Sequence, residues 1–79
     1  MARVLLFGPL RDLAGWRERD IESPSVASLR ALLASEDEQL GAALSAPGVQ
    51  VAVDQAVVRG DAGLGPRSEV AFLPPMSGG

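Results

Sequence analysis

The residue types that usually do chemistry are missing from this chain. It has no cysteine and no histidine in 79 residues, which removes the thiolate nucleophile, the usual general base and the commonest nitrogen ligand for metals. Seven basic residues against ten acids give a net charge of −3. That is the wrong sign for a protein that binds phosphate backbones, so nucleic acid is not expected as a partner. All seven basic residues are arginine, leaving the N-terminal amine as the only site on this chain for an amide bond to itself. What remains is the end of the chain, Pro74-Pro75-Met76-Ser77-Gly78-Gly79. Two prolines favour an extended course. Glycine has no Cβ, so a Gly-Gly end can thread a narrow channel and present its carboxylate to an active site that excludes side chains. The competing reading is a frayed, functionless end, which is what most termini are.

A carboxylate needs nothing from its own chain to become a reagent. If a partner converts the Gly79 carboxylate to an acyl-adenylate, a sulfur nucleophile can displace AMP and leave a thiocarboxylate. That group is a strong, reusable nucleophile on a protein handle.

The elements that must position this tail are legible in the pattern. Arg3 to Gly8 is a short apolar run closed by Gly8-Pro9 and predicts a first strand. Leu10 to Gly15 is short and helix-like or turn-like, and Arg17 to Ile21 predicts a second, more polar strand. Ser23-Pro24-Ser25 supplies helix-start chemistry, after which Val26, Leu29, Leu32 and Leu33 are expected on one buried helical face. The helix should break at Glu36 to Glu38, resume through Leu40 and Leu44, and end before Pro47-Gly48. Val49, Val51 and Val53 alternate with Gln50 and Ala52 as a third strand, Asp54-Gln55 turns the chain, and Ala56 to Arg59 returns as a fourth. Gly60 to Ser68 reads as a crossing loop anchored by Leu64 alone, and Glu69 to Leu73 is the last strand. The order predicts an α+β domain, a mixed sheet of about five strands with one main helix on one face.

Both faces of the first and last strands are apolar, and one helix covers only one face. If Val4, Leu6, Val51, Val53, Val70 and Phe72 meet the helix, then Leu5, Phe7, Ala52, Ala71 and Leu73 form an outward patch suited to docking. The alternative is that Leu10 to Gly15, with Trp16, folds over this patch and buries it. No apolar run is long enough for a membrane span and no targeting segment is visible, so a soluble, cytoplasmic protein with no membrane partner is expected.

The strings VLLFGPLRDLAG (4–15), VAVDQAVV (51–58) and above all EVAFLPPMSGG (69–79) resemble the MoaD-type small subunit of molybdopterin synthase, within the MoaD/ThiS group of ubiquitin-like sulfur carriers. The resemblance implies a β-grasp (ubiquitin-like) domain over residues 1–73 and an extended, flexible Gly-Gly tail over 74–79. It implies that Gly79 is adenylated by an ATP-dependent enzyme similar to ubiquitin-activating enzymes and then sulfurated. The tail, Pro74 to Gly78, would deliver the thiocarboxylate into the large synthase subunit, and two deliveries would build the molybdopterin dithiolene from cyclic pyranopterin monophosphate. On this reading the chain is not a catalyst alone and binds neither cofactor nor metal, since ATP is used by the partner. Phe7 and Leu73 fall at docking-face positions of the family, in agreement with the patch of Leu5, Phe7 and Leu73 read from strand alternation, and Arg11 matches a family arginine that is an interface residue, a structural contact or a solvated one.

The departures are specific. Asp54 stands where the family commonly has asparagine, Arg67-Ser68 replaces a usual Gly-Asp, and Leu73 replaces a common phenylalanine. Carriers that serve thiamine thiazole or cysteine synthesis share the fold and the tail, as do ubiquitin-like modifiers that form amide bonds with target lysines. A β-grasp adaptor with an idle tail is the remaining alternative.

Overall fold

The computed structural model describes residues 1–75. Its elements run β1 (Ala2–Leu6), α1 (Pro9–Ala14), β2 (Glu18–Ile21), α2 (Val26–Glu36), α3 (Glu38–Leu44), β3 (Gln50–Val53), β4 (Ala56–Val58) and β5 (Glu69–Leu73). The strands form one five-stranded sheet in the order β2-β1-β5-β3-β4. The last strand therefore lies at the centre, parallel to β1 with Val4 opposite Val70 and antiparallel to β3 with Val51 opposite Phe72.

The helices cover one face of that sheet. Val4, Leu6, Val51, Val70 and Phe72 point into a core completed by Val26, Leu29 and Leu33 of α2, Leu40 and Leu44 of α3, and Leu10 of α1. Val53 is only half-buried at the end of its strand but packs against the same core, as alternation requires. Leu32 departs from expectation, being 37% exposed. At about 100° per residue it lies about 90° round from the centre of the stripe made by Val26, Leu29 and Leu33, on the flank of the helix.

Local chemistry sets the boundaries. The Ser25 hydroxyl caps α2 by accepting from the Ser28 N–H at 3.1 Å, and the Asp61 carboxylate accepts from the Ala27 N–H at 2.8 Å. The expected break at Glu36 to Glu38 is made by Asp37, whose extended backbone ends α2 while its carboxylate accepts from the Leu40 N–H to start α3. Gly41 of α3 lies against Ala34 so closely that a Cβ there would collide with it, which lets the two helices lie together in so short a chain. The two-residue turn Asp54-Gln55 has φ of 51° and 72°, the mirror-image hairpin geometry that suits the twist of β3 and β4.

Two expectations change in detail. β1 stops at Leu6, because Gly8 turns at φ 56° and Pro9 opens α1 at its first position. The loop Gly60 to Ser68 is held by more than Leu64. The Leu64 N–H donates to the Pro24 carbonyl and the Val26 N–H to the Ala62 carbonyl, both at 2.9 Å, and Ser25 pairs with Gly63 as an isolated bridge.

Candidate functional site

β5 carries the chain out of the fold from the middle of the sheet. Pro74 and Pro75 follow Leu73 directly, and proline has no N–H with which to continue a ladder between two neighbours, so pairing ends there by chemistry. The tail thus leaves from the centre of one sheet end, between the start of β3 and the turn after β1. Met76, Ser77, Gly78 and Gly79 lie outside the described residues.

The sheet face opposite the helices is uncovered. Leu5 pairs with Ala71, Ala71 with Ala52 and Ala52 with Val57, making one apolar row across β1, β5, β3 and β4. Leu73, opposite Gln50, and Phe7 lie one step nearer the tail. Phe7 is 44% and Val57 54% exposed, while Leu5, Ala71 and Leu73 are half-buried. Ala52 corrects its expected place in the exposed patch: it is 8% exposed, its methyl group sunk between its row neighbours Ala71 and Val57 on adjacent strands. Val57 is the addition, since a three-residue strand such as β4 has too little alternation to assign a face from sequence.

The alternative in which Leu10 to Gly15 folds over this patch does not hold. α1 turns to the helix side, where Leu10 is buried in the main core, and Trp16 packs against that core too. Arg19 of β2 lies 5.0 Å over the Trp16 ring and reaches the Glu36 carboxylate of α2 at 2.9 Å, which locks this side down. That hydrogen bond, reinforced by the charge of Arg19, holds the Glu36 carboxyl below its ordinary pKa.

The structure brings Leu5, Phe7 and Leu73 onto one face next to the tail exit. It does not bring Arg11 onto the strand rows. That side chain is on α1, about half exposed, with its Nε 3.8 Å from the Asp12 carboxylate. Acids and arginines rim the open face: Glu18 of β2 lies opposite Leu5, Arg3 lies 3.4 Å from Glu18, and Glu69 lies opposite Arg3. Asp54 shapes its turn as asparagine would, accepting from the Glu69 N–H at 2.9 Å and donating its own N–H to the Glu69 carbonyl at 2.8 Å. No group of three potential metal ligands occurs among the described residues, and no described helix is long and apolar enough to cross a membrane.

A mixed sheet in the order 2-1-5-3-4, wrapped around a principal helix with its last strand central, defines the ubiquitin-like β-grasp class. Solved structures agree. Small archaeal modifier protein 1 of Methanosarcina acetivorans superposes with a TM-score of 0.88 over 99% of this chain and 95% of its own, at 21% identity. The protein of the same name from Haloferax volcanii gives 0.79 over 99% and 98%, also at 21% identity. Within that class the chain belongs to the ThiS family, whose pattern matches residues 4–79. The molybdopterin synthase sulfur carrier subunit of Escherichia coli (strain K12) is 35% identical over the full length of both chains.

Proposed function

We propose that this chain is a sulfur carrier for molybdopterin synthesis, the small subunit of a molybdopterin synthase. The observation that carries the proposal is full-length similarity to a sulfur carrier subunit in a fold that sends a Pro-Pro segment from the centre of the sheet towards Gly78-Gly79, beside an open apolar face. The Gly79 carboxylate attacks the α-phosphorus of ATP in an activating enzyme and releases pyrophosphate. A hydrosulfide equivalent then adds to the acyl-adenylate and expels AMP, leaving a thiocarboxylate. Docked on the large subunit, the thiocarboxylate sulfur attacks a side-chain carbon of the pterin precursor and displaces an oxygen substituent, so that a C–S bond replaces a C–O bond. Hydrolysis of the resulting thioester returns the carboxylate for another round. The chain supplies sulfur and reach, and the partners supply nucleotide binding and catalysis. Dependence on ATP fits a cytoplasmic setting.

The open face is the docking surface in this proposal. Leu5, Phe7, Ala71, Leu73 and Val57 give an apolar centre, with Glu18, Arg3 and Glu69 around it as a charged rim, the usual anatomy of an interface. Reconstitution tests the reading: sulfurated chain, large subunit and precursor should yield molybdopterin in proportion to the thiocarboxylate consumed. A product-free mixture with the cognate large subunit contradicts it. The same fold serves the archaeal modifier proteins, and amide conjugates of this chain to lysines of other proteins in cells would favour a modifier role instead.

A further inference from the structure

The two prolines at the root of the tail sit between two glycines, and register explains why. Continuing the parallel pairing of β1 with β5 two steps past Leu6–Phe72 sets Gly8 beside Pro74. Continuing the antiparallel pairing of β3 with β5 two steps past Gln50–Leu73 sets Gly48 beside Pro75. The contacts differ in tightness: a Cβ at Gly8 would lie 3.4 Å from Pro74 Cγ, at the edge of ordinary van der Waals contact, whereas one at Gly48 would lie 2.9 Å from Pro75 Cβ and 3.2 Å from its Cγ. Real Cβ atoms essentially never come as close as the Gly48 value. At φ 89° that residue also adopts a backbone that side chains disfavour.

We infer that Gly8 and Gly48 form a slot that fixes the direction in which the C-terminal segment leaves the fold, with Gly48 as a positioning residue for Gly79. The activity readout of this inference rests on the sulfur-carrier reading; the contact itself does not. The leverage is geometric. The four residues beyond Pro75 reach at most about 14 Å, so the direction set at Pro75 decides where the Gly79 carboxylate can be presented. A misplacement of about 1 Å at a reacting carboxylate is enough to cost on the order of tenfold or more in rate.

The test separates tail aiming from backbone strain. Gly60 has a similar φ of 76°, but nothing lies within 4 Å of a Cβ added there. Gly60→Ala therefore imposes comparable strain with no contact to the tail. Both Gly48→Ala and Gly60→Ala are expected to lower Tm. At temperatures where each is fully folded, only Gly48→Ala is expected to lose about tenfold in the rate of thiocarboxylate formation by the activating enzyme, largely in kcat. Gly48→Ala combined with Pro75→Gly, which removes the colliding ring, should recover more rate than it recovers Tm. Equal rate losses in the two alanine variants would overturn the slot. If the wild-type chain takes up no sulfur at all, the carrier reading has failed and NMR decides the inference. Nuclear Overhauser contacts from the Gly48 Hα to the Pro75 ring support the slot, and their absence overturns it.

Discussion

Phe7 and Leu73 show what single side chains can mean on a surface. Neither joins the main core, yet both stand beside the tail exit on a face that no helix covers. Replacing them together, Phe7→Ser with Leu73→Ser, should cost about 2–3 kcal/mol of stability, since Phe7 is partly exposed and Leu73 only half-buried. If they anchor a partner, affinity for the large subunit falls by about 2 kcal/mol or more, roughly thirtyfold. Calorimetric titration alongside thermal unfolding checks both numbers, and an unfolded double variant would mean that this face belongs to the core. Arg30 is a different case. Its guanidinium lies 5.8 Å over the Phe72 ring while its buried Nε has no hydrogen-bond partner among the described residues, so the ring face is the contact that meets the cation on the core side.

At the scale of elements, the hairpin turn invites a change. Gln55 holds φ 72°, a conformation that costs a non-glycine residue about 1–2 kcal/mol. Gln55→Gly should therefore stabilise the β3–β4 hairpin by about 1 kcal/mol after the added freedom of the unfolded chain is counted, measured as a raised denaturation midpoint. Much at this scale was readable from the residues. The alternation of Glu69 to Leu73 sets the limits of β5 and its two faces, and the acidic segment Glu36 to Glu38 marks the break between α2 and α3 because Asp37 is a capping residue between two apolar stretches. Other features depend on distance in the chain. Leu32 lies at the edge of a helical stripe, where 3.6-residue periodicity does not decide burial. Which side α1 takes depends on its packing against α3, which brings Leu10 into one core with Leu40 and Leu44 from a distant part of the chain. The meeting of Gly48 with Pro75 needs the register of β3 on β5, two strands with no short turn between them, and alternation fixes which face each side chain takes without fixing how far one strand is slid along the other.

For the whole molecule, the helix side is closed and the strand side is open, and the tail leaves at their common end. The ion pair that ties β2 to α2 gives the fold a predictable acid response. Arg19 lowers the Glu36 pKa in the folded state from its ordinary value of 4.5. The carboxylate therefore stabilises the fold above that value, and the contribution is lost as pH falls through the lower folded-state value. Because Glu36 is exposed the effect is small and screened by salt. Wild type should exceed Glu36→Gln in unfolding midpoint at pH 7, and the gap should shrink as pH falls below the ordinary carboxyl value of 4.5. A gap independent of pH would mean that the pair contributes through packing rather than charge.

Sulfur carriage by this chain comes down to one atom of the Gly79 carboxylate, and intact-mass measurement reads it directly. After incubation with ATP, the cognate activating enzyme and a sulfur donor, the chain should gain the mass difference between one sulfur and one oxygen, and a chain lacking Gly79 should gain nothing. An unchanged wild-type mass under those conditions, or the same gain without Gly79, would contradict the account.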